Sequence, residues 1–256
     1  MIDKTAIIGE NVIIDDSTEI GPYCIIKDNV KIGKNNKIAS HVVIEGNTEI
    51  GDDNKIFQFA SIGSIPQDLK YKGEDTKLLI GNNNIIREYA TFNPGTVTGN
   101  NVTVVGDFNL FMMSTHVAHD CIIGNHAILA NHATLAGHVE IQDFAILGGL
   151  CAIHQFTKIG ESALISGGTM VVQDIPPYLI TSGDRAKIYG INKIGLERRG
   201  FSKEEVENVK KAYKIVYRSK LTIKNAIDKI KNEIDISPII EKFIEFILTS
   251  KRGITR

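Results

Sequence analysis

Cysteine is scarce in this chain, with three in 256 residues, and proline hardly more common, with six. So few cysteines support no disulfide framework, and free thiols in a reducing compartment are expected. Neither charge is in excess: 29 Lys and Arg face 30 Asp and Glu, a net charge of −1, which suggests neither nucleic acid nor an anionic membrane as a partner. No apolar run is long enough to span a bilayer, and Met1-Ile2-Asp3-Lys4 leads into no signal-peptide h-region. These absences predict a cytoplasmic protein with no membrane span.

What is present is a period. Ile occupies every sixth position from Ile8 to Ile62, and the grid resumes at Ile80, Ile86 and Phe92. After a shift of one residue it runs from Val105 to Val171, giving 25 aliphatic or aromatic residues in all. A helix needs a period near 3.6 and a half-buried strand a period of about 2, so neither accounts for six. A hexapeptide repeat predicts a parallel β-helix, in which each unit buries its apolar residue only by stacking on its neighbours. Four residues after each grid position the side chain is mostly small or β-branched (Val12, Cys24, Ala60, Ala127, Ala163), as the interior of a narrow triangular prism requires. The three cysteines, Cys24, Cys121 and Cys151, all fall on that inward position, so a packing role is expected. Glycine often follows the grid residue, as in Gly33, Gly81 and Gly106, and is read as conformational tolerance at sharp corners. Three hexads make a coil of 18 residues. Successive coils are expected about 4.8 Å apart, the ordinary strand spacing. Flat faces invite threefold self-association, so a homotrimer is expected.

The period ends near Val171, and Pro176-Pro177 punctuates it. Ser202-Lys203-Glu204-Glu205 has the form of a capping box, followed by apolar residues at helical spacing from Val206 to Tyr217. Thr222 and Ser237-Pro238 mark two further helix starts. The predicted layout is a β-helix over 1–180, interrupted by a loop at about 64–78, and a helical domain over 181–256. Residues 185–220 carry eleven Lys and Arg against four Glu, a local charge of +7. This is either a solvated face or a dock for an acidic partner.

Six of the seven histidines lie between 116 and 154. Val117, Leu135 and Ile153 are grid residues 18 apart, so His119, His138 and His154 should gather on one edge of the prism, with His116 just before the corner. His41, His126 and His132 fall elsewhere and are expected to be plain surface residues. Neutral imidazole in such a cluster suits a general base acting on a hydroxyl, or a metal site.

The order of motifs narrows the choice. Thr115-His116-Val117-Ala118-His119-Asp120-Cys121, Ala133-Thr134-Leu135-Ala136-Gly137-His138 and His154-Gln155-Phe156 resemble the UDP-N-acetylglucosamine acyltransferases of lipid A synthesis. Gln67-Asp68-Leu69-Lys70-Tyr71, Gln173-Asp174-Ile175-Pro176-Pro177-Tyr178 and Arg198-Arg199-Gly200-Phe201 extend the resemblance over the whole chain. It implies an all-β left-handed parallel β-helix with a C-terminal α-helical domain, against the usual right-handed crossover rule. It also implies transfer of a 3-hydroxyacyl group from acidic acyl carrier protein to UDP-N-acetylglucosamine, with no cofactor and no metal.

By the same resemblance His119 is the general base, Asp120 supports its imidazole, and the Gly137 N–H faces the developing oxyanion. Gln67, Asp68 and Lys70 contact the sugar, with His116, His138, His154 and Gln155 lining the groove. Asn192, Arg198 and Arg199 reach the nucleotide, and Gly167 occupies the position that limits acyl length. Asn93-Pro94 and Ile194 depart from the common pattern, which bears on nucleotide recognition and on whether the acceptor is a hydroxyl or an amine. A zinc hydratase of the same fold is the competing enzyme, but no histidine pair five apart stands in register. A non-enzymatic β-helix would show a flat threonine array, whereas the threonines here are scattered. An acetyltransferase using coenzyme A on a small substrate is at odds with the motifs around Gln67 and Arg198.

Overall fold

The computed structural model describes residues 1–256 and shows a three-sided parallel β-helix followed by helices. Most strands are only two residues long, because each face of a coil is two residues of β-structure between turns. They stack into three sheets of nine, eight and ten strands. The first face runs from Ile7–Ile8 to Met170–Val171, the second from Ile13–Ile14 to Lys158–Ile159. The third starts at Glu19–Ile20 and ends in a hairpin, Leu179–Ser182 paired antiparallel with Lys187–Ile191. Register follows the grid throughout: Ile62 pairs with Phe92, Phe92 with Val117, Val117 with Leu135, and Leu135 with Ile153.

The grid residues and the cysteines form one apolar core. Ile8 is the exception at 37% exposed, because the first coil has a neighbour on one side only. Burial pushes the thiols of Cys121 and Cys151 up to about 12, so neither is a nucleophile at neutral pH.

Two corner features differ from expectation. The left-handed backbone positions at the corners belong mostly to residues with side chains, among them Asn35, Tyr89, Asp120 and His138. The glycines after grid residues serve close approach instead. A Cβ on Gly33, Gly51 or Gly81 would lie 2.8 Å from the carbonyl oxygen of the glycine one coil on. The second difference is a column of buried asparagines, Asn36, Asn54, Asn84 and Asn109, at inward positions where the sequence breaks its run of small residues. Each Oδ1 accepts a backbone N–H from the next coil: Asn36 from Asn54, Asn54 from Asn84, Asn84 from Asn109, and Asn109 from Ala127. Their amides donate to carbonyls such as Gly51, Gly81 and Gly106. Asn54→Ala orphans the Asn84 N–H and the Gly81 carbonyl, and should destabilise the fold by about 3 kcal/mol in urea titrations.

Beyond the hairpin come four helices: α1 (Lys193–Arg198), α2 (Lys203–Arg218), α3 (Ile223–Glu233) and α4 (Pro238–Thr249). The capping box at Ser202 and the Thr222 cap form as expected, and proline starts α4. The hairpin and α1 were not anticipated: the stretch just after residue 180 continues the third sheet before any helix begins. The helices share a second apolar core with Tyr178 and Leu179. No helix is long and apolar enough to cross a membrane.

Glu161 fastens the two cores, pairing with Arg199 and with Lys242 of α4 at 2.6 Å each. Burial alone would raise its carboxyl, but the bonds from Lys242 and Arg199 outweigh this and hold it below its ordinary 4.5. A depressed carboxyl stabilises the fold fully above its unfolded value and ceases to as pH falls through the folded one. Glu161→Gln should therefore cost roughly 1–3 kcal/mol at neutral pH. Thermal unfolding of the two proteins should converge below pH 4.5.

Candidate active site

Both interruptions of the repeat leave the prism at the same edge. Residues 63–76 and 93–101 each connect the first face to the second, in successive coils. The next coil turns the same corner with His119 and Asp120, the one after with Gly137 and His138, and a third with His154 and Gln155.

The centre of this edge is the Asp120 carboxylate, 1% exposed. Oδ1 accepts the backbone N–H groups of Thr96 at 3.1 Å and Asn100 at 2.7 Å. Oδ2 accepts the Thr96 hydroxyl at 2.6 Å and lies 2.8 Å from His119 Nδ1. Burial would push this carboxyl up; the hydrogen bonds from Thr96, His119 and Asn100 more than reverse it and hold Asp120 ionised, below its ordinary value. The imidazole of His119 lies over Gly137, where an added Cβ would be 2.5 Å from Cε1 and 2.6 Å from Nε2. The Gly137 N–H has no partner within the protein.

His138 meets His119 edge-on, with ring centres 5.1 Å apart, and stacks on Phe156 at 4.3 Å. Burial lowers its basicity, and so does the neighbouring His119, against the opposing pull of Asp120 and Asp68. His116 is half-buried on the first face, its Nδ1 2.7 Å from the Thr91 hydroxyl, and burial lowers its basicity too. Gln67, His116, His119, Gly137 and His154 line one groove of about 460 Å³, whose far wall is apolar (Ala152, Ile153, Met170, Val172). His119, Asp120 and His138 offer ligand atoms within 4.8 Å of one another. All four acceptor positions of Asp120 are nonetheless engaged by N–H, O–H and imidazole groups, which suits a hydrogen-bonded dyad better than a metal cage.

Asp68 and Lys70 sit on the first excursion, joined by a turn in which the Lys70 N–H donates to Asp68 Oδ1, outside the groove wall. Gln155 is exposed beside His154. The remaining expected site residues stand on other edges. Arg199 and Asn192 lie against the corner between the second and third faces. Arg199 covers Phe144 at 3.7 Å and binds Glu161, while Asn192 caps α1 and donates to the Ser162 carbonyl. Arg198, next to them, is exposed. Gly167 lies at the third corner, where a Cβ would meet only Gly149 within 4 Å. Within one chain, then, the residues expected to serve the nucleotide and the acyl tail are on different edges from His119.

Sequence reasoning missed Thr91, beside the grid residue Phe92, and Thr96 and Asn100 beyond it, although the grid shift between Phe92 and Val105 marked the segment of the latter two. Asn93, one of the departures from the family pattern, donates to the carbonyls of Ser64 and Ile65 and so ties one excursion to the other. His41 and His126 are exposed as expected but lie in aromatic columns, His41 tilted between Tyr23 and Phe59 and His126 stacked between Phe108 and Phe144.

The family model of the second domain of UDP-N-acetylglucosamine O-acyltransferase matches residues 174–255, and bacterial transferase hexapeptide repeats match 5–46 and 102–137. A protein of Thermodesulfovibrio yellowstonii named Acyl-[acyl-carrier-protein]--UDP-N-acetylglucosamine O-acyltransferase is 56% identical over 100% of this chain and 99% of its own. One of the same name from Myxococcus xanthus is 54% identical over 78% of each chain. The crystal structure of a UDP-N-acetylglucosamine acyltransferase from Bacteroides fragilis superposes with a TM-score of 0.98 at 45% identity, over 100% of both chains. Shared in sequence and in fold from end to end, these likenesses establish that the chain belongs to the UDP-N-acetylglucosamine O-acyltransferase family, with its left-handed parallel β-helix and helical C-terminal part.

Proposed function

We propose that this protein transfers a 3-hydroxyacyl group from acyl carrier protein to the 3-hydroxyl of the glucosamine of UDP-N-acetylglucosamine, the first step of lipid A biosynthesis. The observation that carries the mechanism is the His119–Asp120 pair, 2.8 Å apart, poised over Gly137 in the groove. With Nδ1 donating to an ionised carboxylate, His119 presents the lone pair of Nε2. Nε2 takes the proton of the sugar 3-hydroxyl as that oxygen attacks the thioester carbonyl. The unpaired Gly137 N–H donates to the developing oxyanion. Collapse expels the carrier thiolate, which recovers the proton from His119. No covalent enzyme intermediate is involved, in keeping with the buried thiols.

Gln67, Asp68 and Lys70 hold the sugar, assisted by His116, His138, His154 and Gln155. Arg198, Arg199 and Asn192 serve the nucleotide of a neighbouring subunit's site. A homotrimer reconciles these roles with the three separate edges, since threefold packing sets one protomer's edge against another's. Gly167 leaves the acyl end open and favours a long chain. The β-helix, to about residue 180, supplies the catalytic edge, and the part beyond it docks the carrier. Exposed Lys203, Lys210, Lys211 and Lys214 on α2 fit an acidic carrier protein. The cytosol, where carrier-bound acyl chains and nucleotide sugars are made, is the expected location.

The test is acyl transfer by the purified protein in chelator, with UDP-N-acetylglucosamine and a panel of 3-hydroxyacyl carrier proteins. Transfer establishes the reaction and reports chain length. Transfer only to a 3-amino acceptor would reassign the nucleophile, and none to either would overturn the proposal.

A further inference from the structure

The second excursion, residues 93–101, is placed one coil before the turn of Asp120, at the same edge of the prism. Its backbone closes on itself, with the N–H groups of Gly99 and Asn101 both donating to the Thr96 carbonyl. That closure turns the Thr96 and Asn100 N–H groups onto Asp120 Oδ1 and the Thr96 hydroxyl onto Oδ2. Gly99 packs so closely on the carboxylate that an added Cβ would collide with it. Thr96 itself is 2% exposed, and its hydroxyl has the Thr98 hydroxyl within 3.3 Å as a second partner.

A carboxylate accepts about four hydrogen bonds in all. The excursion fills three positions, and the fourth faces His119 Nδ1. An ionised carboxylate held in this way can only accept from the ring, so Nδ1 must carry the proton and Nε2 the lone pair. We propose that the excursion 93–101 is a carboxylate clamp, with Thr96 a positioning residue that acts through Asp120 to fix the tautomer and orientation of His119. The proposal rests on His119 as general base, yet it makes a claim about the free protein that can be tested without turnover.

Thr96→Val keeps the branched shape and removes only the hydroxyl, and Thr96→Ser retains the hydroxyl. Thr96→Ala, smaller than the native side chain, serves should valine not be accommodated. Histidine-labelled protein gives the ring-nitrogen resonances of His119, assigned by their loss in His119→Ala. Wild type and Thr96→Ser should show the Nδ1–H tautomer, and Thr96→Val a mixture. In parallel, kcat should fall roughly 10- to 100-fold in Thr96→Val, the worth of one hydrogen bond to a charged group. KM for both substrates should stay within about twofold, and serine should restore kcat. An unchanged tautomer in Thr96→Val overturns the clamp, whatever happens to kcat. A changed tautomer with wild-type kcat overturns its part in the reaction. Full activity in His119→Ala would instead remove the base assignment, while the resonances still decide the clamp.

Discussion

His119→Ala should lower the rate of acyl transfer about 10³-fold, within the range that a positioned general base contributes. The loss should fall on kcat and kcat/KM together, because proton removal happens only in the transition state and ground-state binding does not use it. The variant should fold normally: the ring lies in a surface groove, outside the apolar core that holds the coils together. Steady-state kinetics with the preferred acyl carrier protein, alongside thermal unfolding, checks both halves. A rise in KM with kcat intact would make His119 a binding residue and move the search for the base to His138. That ring is within reach of the same carboxylate, Nε2 to Oδ2 at 3.8 Å.

Gly137→Ala should nearly abolish activity with little change in stability. An added methyl would sit 2.5 Å from His119 Cε1 and 2.6 Å from Nε2, closer than real Cβ atoms approach, so the imidazole must move. Displacement by about 1 Å costs on the order of 10²-fold when the reacting groups are otherwise aligned. The Gly137 backbone is not in the left-handed region, so alanine brings no conformational strain. Gly168→Ala supplies the contrast. Its φ is +68° and no atom crowds its Cβ, so strain is the only effect there. Loss of activity at 137 with a normal melting temperature separates crowding of the base from damage to the coil. Equal losses of stability at both positions would refute this account.

The prism was legible in the sequence because its period is set by geometry: six residues per side, one large and one small inward. The same count placed His119, His138 and His154 in consecutive coils at one edge. What was not legible has a common cause. The asparagine column stands on inward positions, yet Asn reads in sequence as a turn residue, and only the stacked carbonyls of the neighbouring coil make it a core residue. Glycine was credited with backbone freedom when its value here is the absence of a Cβ between coils. Thr96 belongs to a segment outside the grid, so no periodic argument could assign its direction. The hairpin at Leu179–Ile191 continues the third sheet with one parallel and one antiparallel strand, both longer and without a six-residue period.

The shared edge of the two excursions also constrains how such a gene can change length. Within a coil, one inserted or deleted codon rotates every later inward side chain out of the core, and nothing downstream corrects it. At the corner between the first and second faces, residues 63–76 and 93–101 leave and rejoin the prism with the columns still aligned, Ile62 beneath Phe92 and Phe92 beneath Val117. Length changes that keep the inward columns aligned are thereby confined to whole coils of 18 residues or to bulges at a corner. Of the two bulges here, the second holds the Asp120 carboxylate and the first brings Gln67 to the groove, while the architecture stays as it was.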